Sequence, residues 1–247
     1  MTESPSVPAP AETVSRRWGV ARAVVPGLLI SVAATSWVAM VVGANLGLFL
    51  GALLLTTCYV PAVVLAESGQ RRWIALAGIM AGACLSLAIF SRSIDVTFGE
   101  WLQCALVLEA YAWALAGVAV LLWRIHLPVP IAALLVVVIG LLWLTWGVWL
   151  SPWMTQGLAD WLSPANPLLA TNAIVRHLGT WDHAPIAYKA LTVLDQDVPY
   201  RLPRTILPAV LLHILIGTPG MALSFLRDRT EATINSSHAP PTPPNGR

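Results

Sequence analysis

The chain has 247 residues, of which 57% are hydrophobic and 11% charged, with a formal net charge of +2 and a mean hydropathy of +0.73. Soluble domains carry about 25% charged residues, so this composition excludes an ordinary water-facing globule. The near-neutral balance, with no block of basic residues, gives no footing for a nucleic-acid partner.

Residues 1–15 are polar and rich in Pro and Ser, and are expected to form a disordered tail. Arg16, Arg17 and Arg22 then lead into the first apolar run, Val20–Gly43. It is too long for the core of a signal peptide and has no obvious small-residue cleavage site, so it reads as a retained helix. Apolar runs of roughly 18 residues or more are what a bilayer core asks of a helix. Five further runs follow: Leu46–Ala66, Trp73–Phe90, Trp101–Trp123, Ile131–Trp149 and Thr205–Leu226. The connection Glu67–Arg72 is the first clearly hydrophilic one, Ser91–Glu100 the second, and Arg124 to Pro130 a tight turn. From Arg227 the chain turns polar, and residues 230–247 are expected to be a disordered tail. The expected fold class is therefore all-α: a polytopic membrane helical bundle of about six transmembrane helices in one domain, residues 16–229.

Orientation follows from the Lys/Arg bias near the span ends. With the N-terminus inside, Arg16, Arg17, Arg22, Arg71, Arg72, Arg124, Arg227 and Arg229 lie on the inner face, and the short outer loops hold only Arg92. Arg201 and Arg204 oppose this, but they belong to a long segment where the rule weakens. Both termini are thus expected in the cytoplasm of a bacterial inner (plasma) membrane. Trp18, Trp73, Trp101, Trp123, Trp149 and Trp153 fall at or near span ends, where the amphipathic indole is favoured. Trp113, Trp143 and Trp146 lie deeper and read as packing between helices, with substrate stacking as the alternative.

The outer segment, residues 151–204, is more than a loop. Asn166-Pro167 has the form of an N-cap with proline at the first helical position, and Leu168, Leu169, Ala173, Ile174 and His177 recur at helical spacing. Short amphipathic stretches around Asp160-Trp161 and after Pro185 are too short and polar to span, but can lie along the outer surface or dip into a protein-lined cavity. The segment also carries His177, Asp182, His183, Asp195 and Asp197, types that ligate metals. The alternative is structural: Asp182 caps a helix and the Asp195/Asp197 pair ends one. No fixed-spacing ligand motif decides for a metal, and no cofactor is identifiable.

Inside the spans, ionisable residues are scarce and each one matters. Glu109 and His213 each stand eight positions in from the outer boundary, about 12 Å deep at 1.5 Å per residue. Ser36, Thr56, Thr57, Cys84 and Thr145 are expected to share that layer. It has the makings of a proton-bearing pair, a quinone site or the wall of a translocation path. A hydrogen bond that merely locks helices is the structural alternative. Cys58, Cys84 and Cys104 lie within apolar runs and read as packing residues.

The lead Ser15–Ala23, the connection Glu67–Arg72, the outer segment Ser151–Arg204 and the stretch Leu162-Ser163-Pro164-Ala165-Asn166-Pro167 together resemble the layout of permease subunits of the type-2 ABC-transporter family. The resemblance covers the whole chain in layout and contains no diagnostic motif. The outer segment is long for that family and the inner connection short. It implies a transport subunit that lies in the lipid bilayer as a homo-oligomer or hetero-oligomer. A separate ATPase would drive it, since no GxxxxGK[ST] motif is present. Two other readings stand beside it. One is an accessory or anchor subunit of a membrane redox complex, with a quinone or proton site at Glu109 and His213. The other is a membrane enzyme using the outer segment.

Overall fold

Thr97 starts the central helix of the protein. Its hydroxyl accepts from the Glu100 backbone N–H, and its own backbone N–H donates to the Glu100 carboxylate at 2.8 Å, a complete capping box. The computed structural model describes residues 44–67, 70–91, 95–146, 153, 155–175, 177 and 202–237. Among them the fold is all-helical. The helices are α1 (Ala44–Ala66), α2 (Gln70–Ser91), α3 (Phe98–Arg124), α4 (Val129–Leu144), α5 (Gln156–Leu162), α6 (Pro167–Ile174) and α7 (Leu207–Ser237), with a 3₁₀ turn at Ser163–Ala165. The first expected span, Val20–Gly43, lies outside the described residues.

Two described helices, Phe98–Arg124 and Leu207–Leu226, are long and apolar enough to cross a membrane; the apolar helices Gly51–Ala66 and Val129–Leu144 are shorter. Several boundaries differ from the sequence reading. The capping box carries α3 back to Phe98. Arg71 and Arg72 belong to α2, not to the preceding connection, because Gln and Arg are good helix formers. The fifth apolar run ends as a helix at Leu144, with Thr145 as its C-cap. α7 continues past Leu226 to Ser237, and Pro219 lies within it without ending it.

α3 is the hub. α7 runs parallel to it: Val107 clusters with Ala209 near one end, Gly117 meets Gly217 and Gly220 midway, and Arg124 donates to the Leu223 carbonyl at 3.0 Å near the other. At the midpoint the two backbones touch. A Cβ on Gly117 would collide with the Gly217 backbone, and one on Gly220 with that of Gly117. Small residues allow this approach where lipid gives helices no hydrophobic reason to associate. α7 buries one stripe, Ala209, His213, Gly217, Gly220 and Ser224, and leaves Leu211, Leu215 and Phe225 exposed. α4 likewise exposes Leu134, Val138 and Ile139. Helices that are apolar on their outer faces as well as their inner ones suit a hydrocarbon solvent.

Between α3 and α4 the chain turns at His126, which takes the left-handed conformation (φ 67°) and donates its backbone N–H to the Trp123 carbonyl at 3.1 Å.

Candidate functional site

His213 reaches the bundle interior from the buried stripe of α7 and is 2% exposed. The Trp143 indole N–H of α4 donates to its Nε2 at 3.1 Å. Nε2 is therefore an acceptor, which leaves the proton on Nδ1; that N–H donates to the Ala209 carbonyl at 2.6 Å. His213 is thus a neutral imidazole with both nitrogens engaged. The Tyr111 ring of α3 meets its edge at 5.5 Å between centroids and 82°.

Tyr111 extends the network to α1. Thr57 donates its hydroxyl to the Leu53 carbonyl at 2.7 Å, so the 2.9 Å contact between Thr57 Oγ1 and the Tyr111 hydroxyl has tyrosine as donor. The Gly140 carbonyl of α4 lies 3.3 Å from the same hydroxyl. Gly140 has to be glycine here: a Cβ would stand 2.9 Å from the Tyr111 hydroxyl and 2.7 Å from the Thr57 methyl.

Trp143 is held at its backbone too. The side-chain amide of Asn166 donates to the Trp143 carbonyl at 2.7 Å and contacts that of Leu144 at 3.4 Å. The Oδ1 of the same residue accepts from Leu168 N and Leu169 N at 2.8 and 3.1 Å, capping α6. One buried side chain thus ends α4 and starts α6, with Pro167 at the first helical position.

A half-open cavity of about 340 Å³ lies against this network, between α3, α4 and α7. Ala114, Leu115, Val136 and Leu212 form part of its wall, and Trp161, Leu162 and Ala165 of α5 and the 3₁₀ turn line one end of it. The rings of Tyr111, Trp143 and His213 border it.

Glu109 does not join His213 by any hydrogen bond or ion pair. It accepts instead from the Cys84 thiol of α2 at 3.0 Å. Thr56 and Thr145 bond back to their own helices at Ala52 and Leu141. Ser36 lies outside the described residues. In the segment between α4 and α7, His177 lies 3.4 Å from the Glu100 carboxylate and 2.8 Å from the Asp95 carbonyl, at the start of α3. Asp182, His183, Asp195 and Asp197 lie outside the described residues. Among those described, no group of three His, Cys, Asp or Glu side chains is arranged to hold a metal ion.

A second polar cluster closes the opposite end of the bundle. Arg72 is 5% exposed. It donates to Ser224 Oγ of α7 at 2.7 Å and to the Glu67 carbonyl at 3.1 Å, and its guanidinium stands 5.4 Å from the centre of the Trp123 ring of α3. Arg71 is exposed.

Tyr111, Trp143 and Asn166 are the site residues that sequence reasoning undervalued. Tyr111 carried no signal beyond its type. Asn166 read as a cap, and Trp143 chiefly as packing. No family model matches the chain, and neither does any curated protein or solved structure.

Proposed function

We propose that the chain is a six-span protein of a bacterial inner membrane with both ends in the cytoplasm. In this reading it is a permease-like transport subunit that a separate ATPase drives. Membrane embedding is supported by the apolar outer faces of α4 and α7 and by the lengths of α3 and α7; the count of six rests on the apolar runs of the sequence.

The observation that carries the transport reading is Arg72. In the proposed orientation it stands on the cytoplasmic side, three residues into α2, and is bonded to Ser224 of α7 and packed on Trp123 of α3. A push on the connection before α2 would therefore pass into α7. There Pro219 removes one helix hydrogen bond, and Gly217 and Gly220 make the backbone approach to α3. That is the mechanical linkage a subunit without its own nucleotide site requires. The test is purification from native membranes in mild detergent. An ATPase is expected to co-purify, and to be lost on Arg71→Glu while the chain stays folded. Purification of the intact chain with no ATPase would sink the reading.

A second reading, the accessory subunit of a redox complex, draws on the imidazole that borders the cavity. It expects a quinone or haem in the purified complex and lower turnover in Glu109→Gln. Wild-type turnover in that variant would remove its support.

A further inference from the structure

We infer that the cavity between α3, α4 and α7 is a binding site for the hydrocarbon chain of a membrane lipid, entered sideways from the bilayer. The inference rests on the membrane-spanning reading above and is independent of the ATPase.

The polarity of the wall decides against a water-soluble occupant. Four side chains with polar atoms line the cavity: Tyr111, Trp143, His213 and, at its exposed end, Trp161. The three inside are already engaged. Both nitrogens of His213 are bonded, to Trp143 and Ala209. The Trp143 N–H is spent on His213, and the Tyr111 hydroxyl on Thr57 and Gly140. A sugar, amino acid or ion would shed its water here and gain nothing in exchange. A hydrocarbon loses no hydrogen bonds on entry.

Size and access agree. The volume of about 340 Å³ falls in the range of ligand pockets, about 300–1,000 Å³. Apolar cavities of roughly 150 Å³ already stay dry and take up apolar guests. The rim residues Ile139 and Ile216 are 50% and 40% exposed, on helix faces whose neighbours are also apolar. In a bilayer that rim opens onto acyl chains. The outer end is closed by Leu162 and Trp161, and Trp161 is 74% exposed. Its indole suits the headgroup level, where the polar end of the same lipid would lie.

The test uses the full chain in phosphatidylcholine vesicles doped either with a phospholipid bearing a diazirine on its acyl chain or with a diazirine fatty acid. After photolysis, adducts are mapped by mass spectrometry. Adducts are expected on Leu115 and Trp143 from the phospholipid, as well as on the outward Leu134 and Leu215. Cavity-filling Ala114→Leu should abolish the wall adducts and spare the outward ones. Ala165→Phe, at the outer end, should do the same and serves if the first variant does not assemble. Wall adducts from the fatty acid alone would overturn the assignment to a bilayer phospholipid. Labelling confined to Leu134 and Leu215 in the wild type, or wall labelling unchanged in both variants, would overturn the site itself. Wall labelling without a co-purifying ATPase would sink only the permease reading, and the reverse result only this one.

Discussion

The indole N–H of Trp143 donates to Nε2 of His213 across 3.1 Å, joining α4 to α7 in the wall of the apolar cavity. The bond fixes the tautomer of His213, because the Ala209 carbonyl at 2.6 Å takes the only proton on the ring. Protonating Nε2 would set two donors against each other. The pair is therefore a latch between helices while the imidazole is neutral, with no nitrogen left over for a ligand.

Trp143→Phe keeps a ring at this position and removes the donor. It strands a buried acceptor, and is expected to cost about 1–3 kcal/mol. His213→Leu removes the acceptor instead. Combined, the two should cost less than their sum, with a coupling of about 0.6–2 kcal/mol, the span of interhelical hydrogen bonds in membranes. Unfolding of the four proteins in one detergent measures it. Strictly additive losses would mean the latch contributes nothing.

The same pair marks where sequence reasoning stops. The depths of Glu109 and His213 can be counted along their helices, because each residue rises 1.5 Å. The direction in which each faces cannot be counted without knowing the neighbours. Tyr111 is two residues from Glu109, about 200° round the helix, and it is Tyr111 that meets His213 while Glu109 turns to Cys84. The Asn166-Pro167 cap is legible because capping is local chemistry. Its second role, on the α4 carbonyls, depends on a partner 23 residues away and leaves no local trace. Arg71 and Arg72 look alike in the chain, since charge there marks only a membrane edge. Which of the two turns inward depends on the position of Ser224.

That distinction gives the next expectation. Arg72→Met should lose charge-assisted hydrogen bonds to Ser224 and Glu67, worth about 1.5–3 kcal/mol. Ser224→Ala should lose part of the same energy and add little to Arg72→Met. Arg71→Met, at an exposed site, should stay within about 0.5 kcal/mol of wild type. Equal effects at the two arginines would contradict the buried position of Arg72.

The contact of Gly117 with Gly217 and Gly220 predicts intolerance to a single methyl group. Gly117→Ala and Gly217→Ala each drive a Cβ into backbone atoms of the other helix, which cannot rotate away. Each is expected to cost at least the overpacking range of about 1–3 kcal/mol. Gly99 and Gly157 have nothing within 4 Å of an added Cβ. Alanine there should be neutral, or stabilising by up to about 1 kcal/mol through helix propensity. Melting temperatures of the four variants separate the crossing from the controls.

Asn166 offers the most selective substitution, because its two roles use different atoms. Oδ1 caps α6 through Leu168 N and Leu169 N, while Nδ2 donates to the Trp143 carbonyl. Asp is as good an N-cap as Asn, so Asn166→Asp should preserve α6. It replaces the donor with a carboxylate oxygen facing a carbonyl, at a residue only 1% exposed. A stranded charged group costs more than a neutral one, so a loss of about 2–3 kcal/mol is expected. The damage should be confined to the end of α4. Hydrogen exchange is the measurement that resolves it. The Leu168 and Leu169 amides should stay protected, while Trp143 and Leu144 exchange faster. The Trp143 indole should also leave His213, since its backbone anchor is gone. Loss of protection at Leu168 and Leu169 instead would show that capping, not the tie to α4, is what Asn166 supplies.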